Sequence, residues 1–595
     1  MNLPPDRSRW FRALLVLCAV KIALLIAAFD PGGLIAFDLP KSLASRAIEW
    51  PIAVILLILV VGHGRSILPR SHLHVAVVGL AAAWLIAAWF AEDRYLALFG
   101  EDDRYLGLTY LADMVILYVA FAVAVRDGRD VAFLFTAIAV GAAVALGYAG
   151  AQAIGADPFW WQDARAERPF STFGNPDHFG HFLSVLFGLS FGAAVGARGL
   201  LATAVGTLVV MLSLVAAAVV ATRGTAVGIL ASMVAAPIAA ASRWRGAVAM
   251  ALAAVALVAI FTATPLGERL RATLSGVAVE DRTTIWAASV RAFAARPVAG
   301  YGPDNFRVAF AEHRPSPADV LLAAMPQSSA HNWLLDAAVM TGALGLIALM
   351  ALVGLGTLEL VALAHRMPGI GAPLLLGWAA YWAHALVAVG SIAIGWVPWL
   401  AIGIAVGLRP RDPARRIRRV PFWAAALALI VALVVAATGT RAFLANRDAL
   451  AMEHASAVGD VQGALDAAES AVTRDSGRAE NWNRLGVALD GLDLWRASLD
   501  AYREAALRRP YEPIYWANIA RTYARLALAG DAPSRQEAIV AARRAVDADP
   551  RSADGHAVLA EIATAFGMCD LARAEAATAV ALQGPDLRAG AEACR

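Results

Sequence analysis

Between residues 11 and 440 the chain falls repeatedly into apolar runs of about twenty residues, the length needed to cross the roughly 30 Å hydrocarbon core of a bilayer. The runs lie near 11–29, 47–62, 73–91, 108–125, 131–154, 178–196, 200–221, 225–241, 245–263, 333–362, 372–390, 391–408 and 421–440. In lipid every backbone N–H and C=O must bond within its own segment, which leaves helices as the economical solution. The expected fold is therefore all-α: a polytopic helical membrane protein with about 13 transmembrane helices. Composition agrees, since 60% of the 595 residues are hydrophobic and only 16% charged, against about a quarter in soluble domains. A net charge of +3 over this length gives no basis for binding nucleic acid. Arg7, Arg9 and Arg12 precede the first run and resemble a signal sequence. With no small-residue cleavage site and many spans behind it, the run reads as an uncleaved first helix.

Lys and Arg in short connections set orientation. With the N-terminus in the cytoplasm, the cytoplasmic connections carry Arg65 and Arg70, Arg126 and Arg129, Arg198, Arg243 and Arg245, His365 and Arg366, and a cluster from Arg409 to Arg419. The opposite connections carry Glu92-Asp93, Glu101-Asp102-Asp103 and Phe159-Trp160-Trp161. This alternation places a long polar loop (264–332) and everything beyond residue 440 outside the cytoplasm.

The tail changes character. Trp482-x-x-Leu485-Gly486, Tyr502, Ala505 and Pro510 follow the 34-residue tetratricopeptide pattern. The register returns at Trp516, Ala520, Ala542, Ala545 and Pro550, and again at Leu559-Ala560, Ala572, Ala576 and Ala579; a degenerate copy carries Ala464, Ala468 and Ala471. Each unit buries its apolar face only against a neighbour, so the copies build a short α-solenoid. The chain thus divides into a transmembrane domain, 1–440, and a repeat domain, 441–595. Cys569 and Cys594 both fall in the outer part, where an oxidising compartment would allow them to pair.

Polar groups gather on the outer face. Arg223 stands in the tight turn Thr222-Arg223-Gly224, while Arg165 and Arg168 precede Phe173-Gly174-Asn175-Pro176-Asp177-His178. Arg282, Arg291 and Arg296 lie in the long loop, and His331 opens the next span. An arginine costs about 2.5–3.5 kcal/mol at mid-helix in a bilayer, so those kept near span ends ask for a reason. Guanidinium groups hold phosphate oxygens in a fixed fork and stay charged in apolar surroundings, so the cluster suits a pyrophosphate at the membrane surface.

Each residue also has a plainer reading. A terminal arginine such as Arg223 snorkels to the interface, Arg165, Arg291 and Arg296 read as solvated, and a lone histidine most often caps a helix or bonds a carbonyl. His178 and His181 have metal-ligand spacing without a third ligand. Asp547-Ala548-Asp549 closes a repeat and reads as structural. Trp160 and Trp161 suit an interfacial belt or sugar stacking.

Taken together, Thr222-Arg223-Gly224, Arg282-x-x-x-Trp286, Arg296-Pro297-x-x-Gly300-Tyr301-Gly302-Pro303-x-Asn305-Phe306, His331-Asn332-x-x-Leu335 and Gly342-x-x-Gly345 resemble the O-antigen ligase and polymerase superfamily. Phe173-Gly174-Asn175-Pro176 resembles its Asn-Pro motif at the opening of a span. The similarity covers roughly residues 10 to 408, with the repeats as an appendage. It implies a GT-C-like glycosyltransferase of the bacterial inner membrane, multi-pass, with its repeats in the periplasm. The implied reaction moves a glycan from an undecaprenyl-pyrophosphate carrier to an acceptor, without metal or cofactor. The acceptor would be lipid A-core, another polysaccharide or a protein, so that ligase, polymerase and protein O-glycosyltransferase stay open. By the same resemblance Arg223 and Arg282 would contact pyrophosphate, and His331 and Arg282 would be catalytic, with His331 as base or further phosphate contact; Arg168, from the outer-face cluster, is a further pyrophosphate candidate. Asn305, Asn332, Trp160 and Trp161 are candidates for holding the glycan, and the repeats for holding a protein partner. Two positions depart from the family pattern: position 336 is Asp, and Met340 stands where members often carry an acidic residue.

Two other classes fit less well. A transporter of lipid-linked sugars should show internal repeats and charge at mid-membrane, whereas here the polar groups lie at one surface. A scaffold that only anchors the repeats needs one helix rather than thirteen.

Overall fold

The computed structural model describes residues 5–63, 67–101, 104–159, 161, 168–196, 199–240, 280–315, 327–411, 422–582 and 584–594, with isolated positions between 248 and 268. Among the described residues there are helices and no strands. Nine precede the long loop: α1 (Pro5–Ala27), α2 (Asp38–His63), α3 (Leu73–Trp89), α4 (Arg94–Phe99), α5 (Leu108–Ala124), α6 (Gly128–Ala153), α7 (Pro176–Gly196), α8 (Leu200–Val220) and α9 (Arg223–Ala239). The loop holds α10 (Glu280–Ala295) and α11 (Phe306–His313). After it come α12 (Trp333–Arg366), α13 (Pro368–Ala385), α14 (Val397–Gly407) and α15 (Phe422–Ala457).

Among the described residues six stretches are long and apolar enough to cross a bilayer: Arg9–Ala27, Asp38–Val60, Gly128–Ala153, Pro176–Gly196, Thr203–Val220 and Trp333–Arg366. Helices α3, α5, α9 and α14 are apolar but shorter. The chain is a multi-pass, all-α membrane protein. The span expected at 245–263 lies outside the described residues except for isolated positions.

Helix α7 is the central post, buried along nearly its whole length. It meets α13 through small residues; a Cβ at Gly192 would come within 2.5 Å of the Ala372 carbonyl, so the backbones approach as closely as glycine allows. The two spans expected at 372–390 and 391–408 take a different form. Helix α13 ends at Ala385, the return begins as irregular chain over 386–396, and only Val397–Gly407 is helical. Eleven residues rise about 16 Å, half the core of a bilayer. Ile392, Ala393, Ile394 and Trp396 are all buried, so this irregular backbone is shielded by protein, as membrane depth requires. Gly390-Ser391 offered no helix-breaking signal beyond one glycine.

The basic connections meet at one end. Arg409 pairs with Glu359 and donates to the Arg70 carbonyl at 2.9 Å, and Arg366 lies 3.5 Å from Glu359. Arg411 donates to the carbonyls of Ala122 and Val125, both at 3.0 Å, satisfying the last turn of α5.

Helix α15 runs without interruption past residue 440 into the tail, so the two parts share a helix. There follow α16 (Val461–Arg474), α17 (Ala479–Asp490), α18 (Trp495–Arg508), α19 (Pro513–Leu528), α20 (Ser534–Ala548), α21 (Ala553–Ala565), α22 (Cys569–Ala581) and α23 (Arg588–Glu592). They stack as antiparallel pairs, with Ala468, Ala505, Ala520, Ala542, Ala545 and Ala576 fully buried where helices touch. One bond recurs at every junction. The ring nitrogen near the start of each leading helix reaches a carbonyl six residues back: Trp482 to Ser476 (2.8 Å), Trp516 to Pro510 (2.8 Å) and His556 to Pro550 (3.0 Å). Cys569 and Cys594 form a disulfide that ties α23 back to α22.

Candidate functional site

The site is built around a broken helix. Within α12, Gly342 has φ 63° and ψ −166°, a conformation open essentially to glycine alone. The break frees carbonyls below it and N–H groups above it. The Pro297–Gly302 turn takes up both. Tyr301 and Gly302 donate to the Val339 and Met340 carbonyls, each at 2.9 Å, and Ala343 donates to the Pro297 carbonyl at 2.8 Å. Gly300 also has positive φ, 68°. The Gly-Tyr-Gly motif and Gly342 of α12 are therefore two halves of one contact.

The next residues clasp a neighbouring loop. Asp304 accepts from the N–H groups of Glu101 (2.7 Å) and Leu106 (3.1 Å), and Arg104 lies 3.5 Å from its other oxygen. Asn305 accepts from the Asp93 N–H at 2.8 Å and donates to the Asp93 and Pro303 carbonyls. Asn305 is fully buried, and both ends of its amide are occupied by backbone.

These loops present His331. Asp336 accepts from Ser329 Oγ and the Ala330 N–H, both at 2.7 Å, and Ser329 Oγ accepts from the His331 N–H at 3.0 Å. Arg104 bonds the Ser328 carbonyl, and Trp286 Nε1 donates to the Ala330 carbonyl at 3.0 Å. His331 itself is held at φ 54°, uncommon for a residue with a Cβ. Asn332 caps α12, its Oδ1 accepting from Leu334 N at 3.0 Å.

Around His331 the expected cations come together. Burial lowers the His331 pKa to about 4, helped by the positive charge of Arg282 and opposed by Asp177; Arg104 and His178 add to the lowering. Arg282 is likewise lowered by burial, with Asp177 raising it and Arg223 lowering it. Arg223, Arg282 and His331 thus act electrostatically within one cluster whose counter-charge is Asp177. Three helix starts share this place: α7 at Asp177, α9 at Arg223 and α12 at His331-Asn332. The positive ends of their dipoles favour an anion there, adding to the two guanidinium groups, while Asn332 and Asn175 already accept from first-turn N–H groups of α12 and α7.

Trp161 donates its ring N–H to Asp157 at 3.1 Å and packs in a box with Phe29, Phe37, Phe159 and Phe170. Arg168 is half-buried just before Phe170. Trp160 and Arg165 fall outside the described residues. His181 stacks on His384, ring centroids 4.2 Å apart. Among the described residues no group of three or more His, Cys, Asp or Glu is arranged to hold a metal ion.

From the sequence Arg104 goes unmarked, Asp177 is named only within its motif and Asp336 only as a departure from the family pattern, none of them with a role. Arg104 follows an acidic run that reads as a solvated loop, and nothing local indicates its reach to Ser328. A cavity of about 690 Å³ opens next to this loop, lined by Arg46, Tyr95, Tyr105, Phe443 and Arg478 among others.

Residues 182–350 match the family model described as O-antigen ligase, which spans Arg223, Arg282 and His331. The chain has no match among curated proteins. Among solved structures it is similar to a thermophilic TPR protein of Thermus thermophilus, with 19% identity over 23% of this chain and 74% of that one, and a TM-score of 0.22. It is also similar to MamA, with 16% identity over 23% of this chain and 78% of that one, and a TM-score of 0.21.

Proposed function

We propose a specific reaction, starting from the match of residues 182–350 to the O-antigen ligase family model, which supports a role in glycan transfer in general. The protein transfers a glycan from undecaprenyl-pyrophosphate to an acceptor hydroxyl at the periplasmic face of the bacterial inner membrane. The observation that supports this most directly is the convergence of Arg223, Arg282 and His331 at the starts of three helices.

The chemistry follows from that arrangement. The acceptor oxygen attacks the anomeric carbon while the bond from that carbon to the pyrophosphate oxygen breaks, and configuration inverts. The leaving group takes the electron pair, and Arg223 and Arg282 stabilise the charge that develops on it. His331, neutral at pH 7 because its pKa lies near 4, takes the acceptor's proton. Asp177 supplies the opposing charge that acts on both Arg282 and His331. Asp336, which holds the Ser329–His331 segment, fixes where the imidazole stands. The same donor half serves ligase, polymerase and protein O-glycosyltransferase, and the repeats offer a surface for acceptor or partner.

Purified protein given an undecaprenyl-pyrophosphate glycan and candidate acceptors provides the test. His331→Ala, Arg282→Ala and Arg223→Ala should each lower transfer by at least about 100-fold with the fold intact. Wild-type turnover in any two of them would remove the assignment. The acceptor that reacts names the class: lipid A-core for a ligase, a second carrier-linked glycan for a polymerase, a polypeptide for a protein glycosyltransferase.

A further inference from the structure

We infer that the turns closing successive repeats form a docking edge that holds the transfer site together, so that Tyr511, Glu512 and Asp549 are positioning residues for the reaction. This rests on the reading of the site given above and adds to it a role for the repeat domain that needs no outside partner.

The turn after each repeat meets the membrane part. Arg478, after α16, donates to Tyr105 Oη at 3.0 Å. After α18, Tyr511 donates to the carboxylate of Asp93, and Glu512 lies 3.2 Å from Arg307. Asp549, after α20, lies 2.5 Å from Arg314 at the end of α11. These turns occupy equivalent places in the stack, as the recurring ring-to-carbonyl bond at 476, 510 and 550 shows. One edge of the solenoid therefore faces the loops of the site at three successive steps.

The contacts continue inward without a gap. Arg307 bridges Glu512 to Glu101, the Glu101 N–H donates to Asp304, and Asp304 lies beside Arg104. Arg104 bonds the Ser328 carbonyl, and Ser329 receives the His331 N–H. By a second route Asp93, held by Tyr511, is clasped by Asn305. Burial separates the Arg314–Asp549 pair from ordinary surface ones. The Arg314 and Asp549 side chains are 3% and 13% exposed, whereas Arg496, paired with Asp531 away from this edge, is 81% exposed. Exposed pairs contribute little, but removing one partner of a buried pair leaves the other uncompensated. The Asp-x-Asp at 547–549 finds its use here, as a docking group rather than a metal ligand.

The test uses the full-length protein in lipid nanodiscs. The triple variant Tyr511→Phe, Glu512→Gln, Asp549→Asn removes the docking groups with almost no change in volume; Arg496→Gln serves as the control. Hydrogen exchange should speed at least about tenfold over residues 93–101 and 300–314 in the triple variant only. Its kcat should fall at least about tenfold, and the acid limb of kcat/KM should move up by at least about half a pH unit as Arg104 shifts away from His331. A smaller folded fraction would scale that profile without moving it. Restoring Glu512 alone should recover part of both effects. Unchanged exchange, or faster exchange with an unmoved profile and full turnover, would overturn the inference. If the wild-type protein transfers no glycan, the proposed reaction fails while the exchange arm still reports on docking.

Discussion

The Tyr301 N–H donates to the Val339 carbonyl at 2.9 Å across the break at Gly342, so a turn in the polar loop completes a helix that the membrane part leaves open. A Cβ on Gly342 would fall 2.2 Å from the Val298 carbonyl oxygen, a backbone atom with nowhere to go. Gly342→Ala should therefore lose roughly 1–3 kcal/mol from the conformation alone, more from the clash, and most of its transfer activity. Gly354, in the same helix, has no atom within 4 Å of a built Cβ, and Gly354→Ala should be neutral or up to about 1 kcal/mol more stable. Thermal unfolding midpoints of the two purified variants decide the matter; equal midpoints would show that the break is not what holds the turn.

Asp336 carries the next expectation. It supplies both acceptors for Ser329 Oγ and the Ala330 N–H. Asp336→Ala strands two buried donors, at about 1–3 kcal/mol for each such group, and frees the segment that carries His331. Misplacement of a reacting group by about 1 Å can cost a hundredfold in rate. Transfer should fall by roughly tenfold to a hundredfold in Asp336→Ala, with Asp336→Asn between that and wild type because one oxygen remains to accept. Single-turnover rates with saturating donor make the comparison.

The Cys569–Cys594 disulfide closes a 25-residue separation. Chain entropy puts its contribution at about 3.5 kcal/mol as a ceiling. Cys594→Ser should lower the unfolding midpoint of the repeats and leave transfer at 25 °C unchanged. Thiol titration of unfolded, unreduced wild-type protein should find one thiol, that of the buried Cys18; three would show that the pair does not form.

Apolar length made most spans legible, and the register of Trp482 and Trp516 made the repeats legible, because both signals are local and periodic. His556 takes the tryptophan's place in the third unit, and there only the alanines carried the pattern. The return at 386–396 was not legible, since hydropathy reports burial in lipid and burial in protein alike. Arg223, Arg282 and His331 could be placed on one face from the alternation of charge. Asn305 shows the limit of that reasoning. Its motif marks it, but a residue type cannot reveal that its amide is consumed by the backbone of Asp93. Arg104 and Glu512 act through partners some two hundred positions away, which no window of sequence contains.

The acid limb of the reaction offers the sharpest check on His331. Only the neutral imidazole accepts a proton, and it is neutral above its pKa, which burial and the charges of Arg282, Arg104 and His178 hold near 4 against the pull of Asp177. In the free enzyme kcat/KM should stay level from pH 7 down to about 5 and fall only near 4, well below the ordinary histidine value of about 6.5. The same shift bears on folding. Between about 6.5 and 4 the unfolded chain takes up a proton that the folded one refuses, so His331's contribution to stability declines as pH falls through that window. Bound pyrophosphate brings negative charge beside the imidazole and favours its protonated form. The acid limb of kcat, which reports the enzyme with substrate bound, should therefore lie at higher pH than that of kcat/KM. Rates from pH 3.5 to 8 at saturating and at limiting donor separate the two limbs. Coincident limbs, or a kcat/KM limb at 6.5, would mean that His331 is neither buried among these cations nor the base.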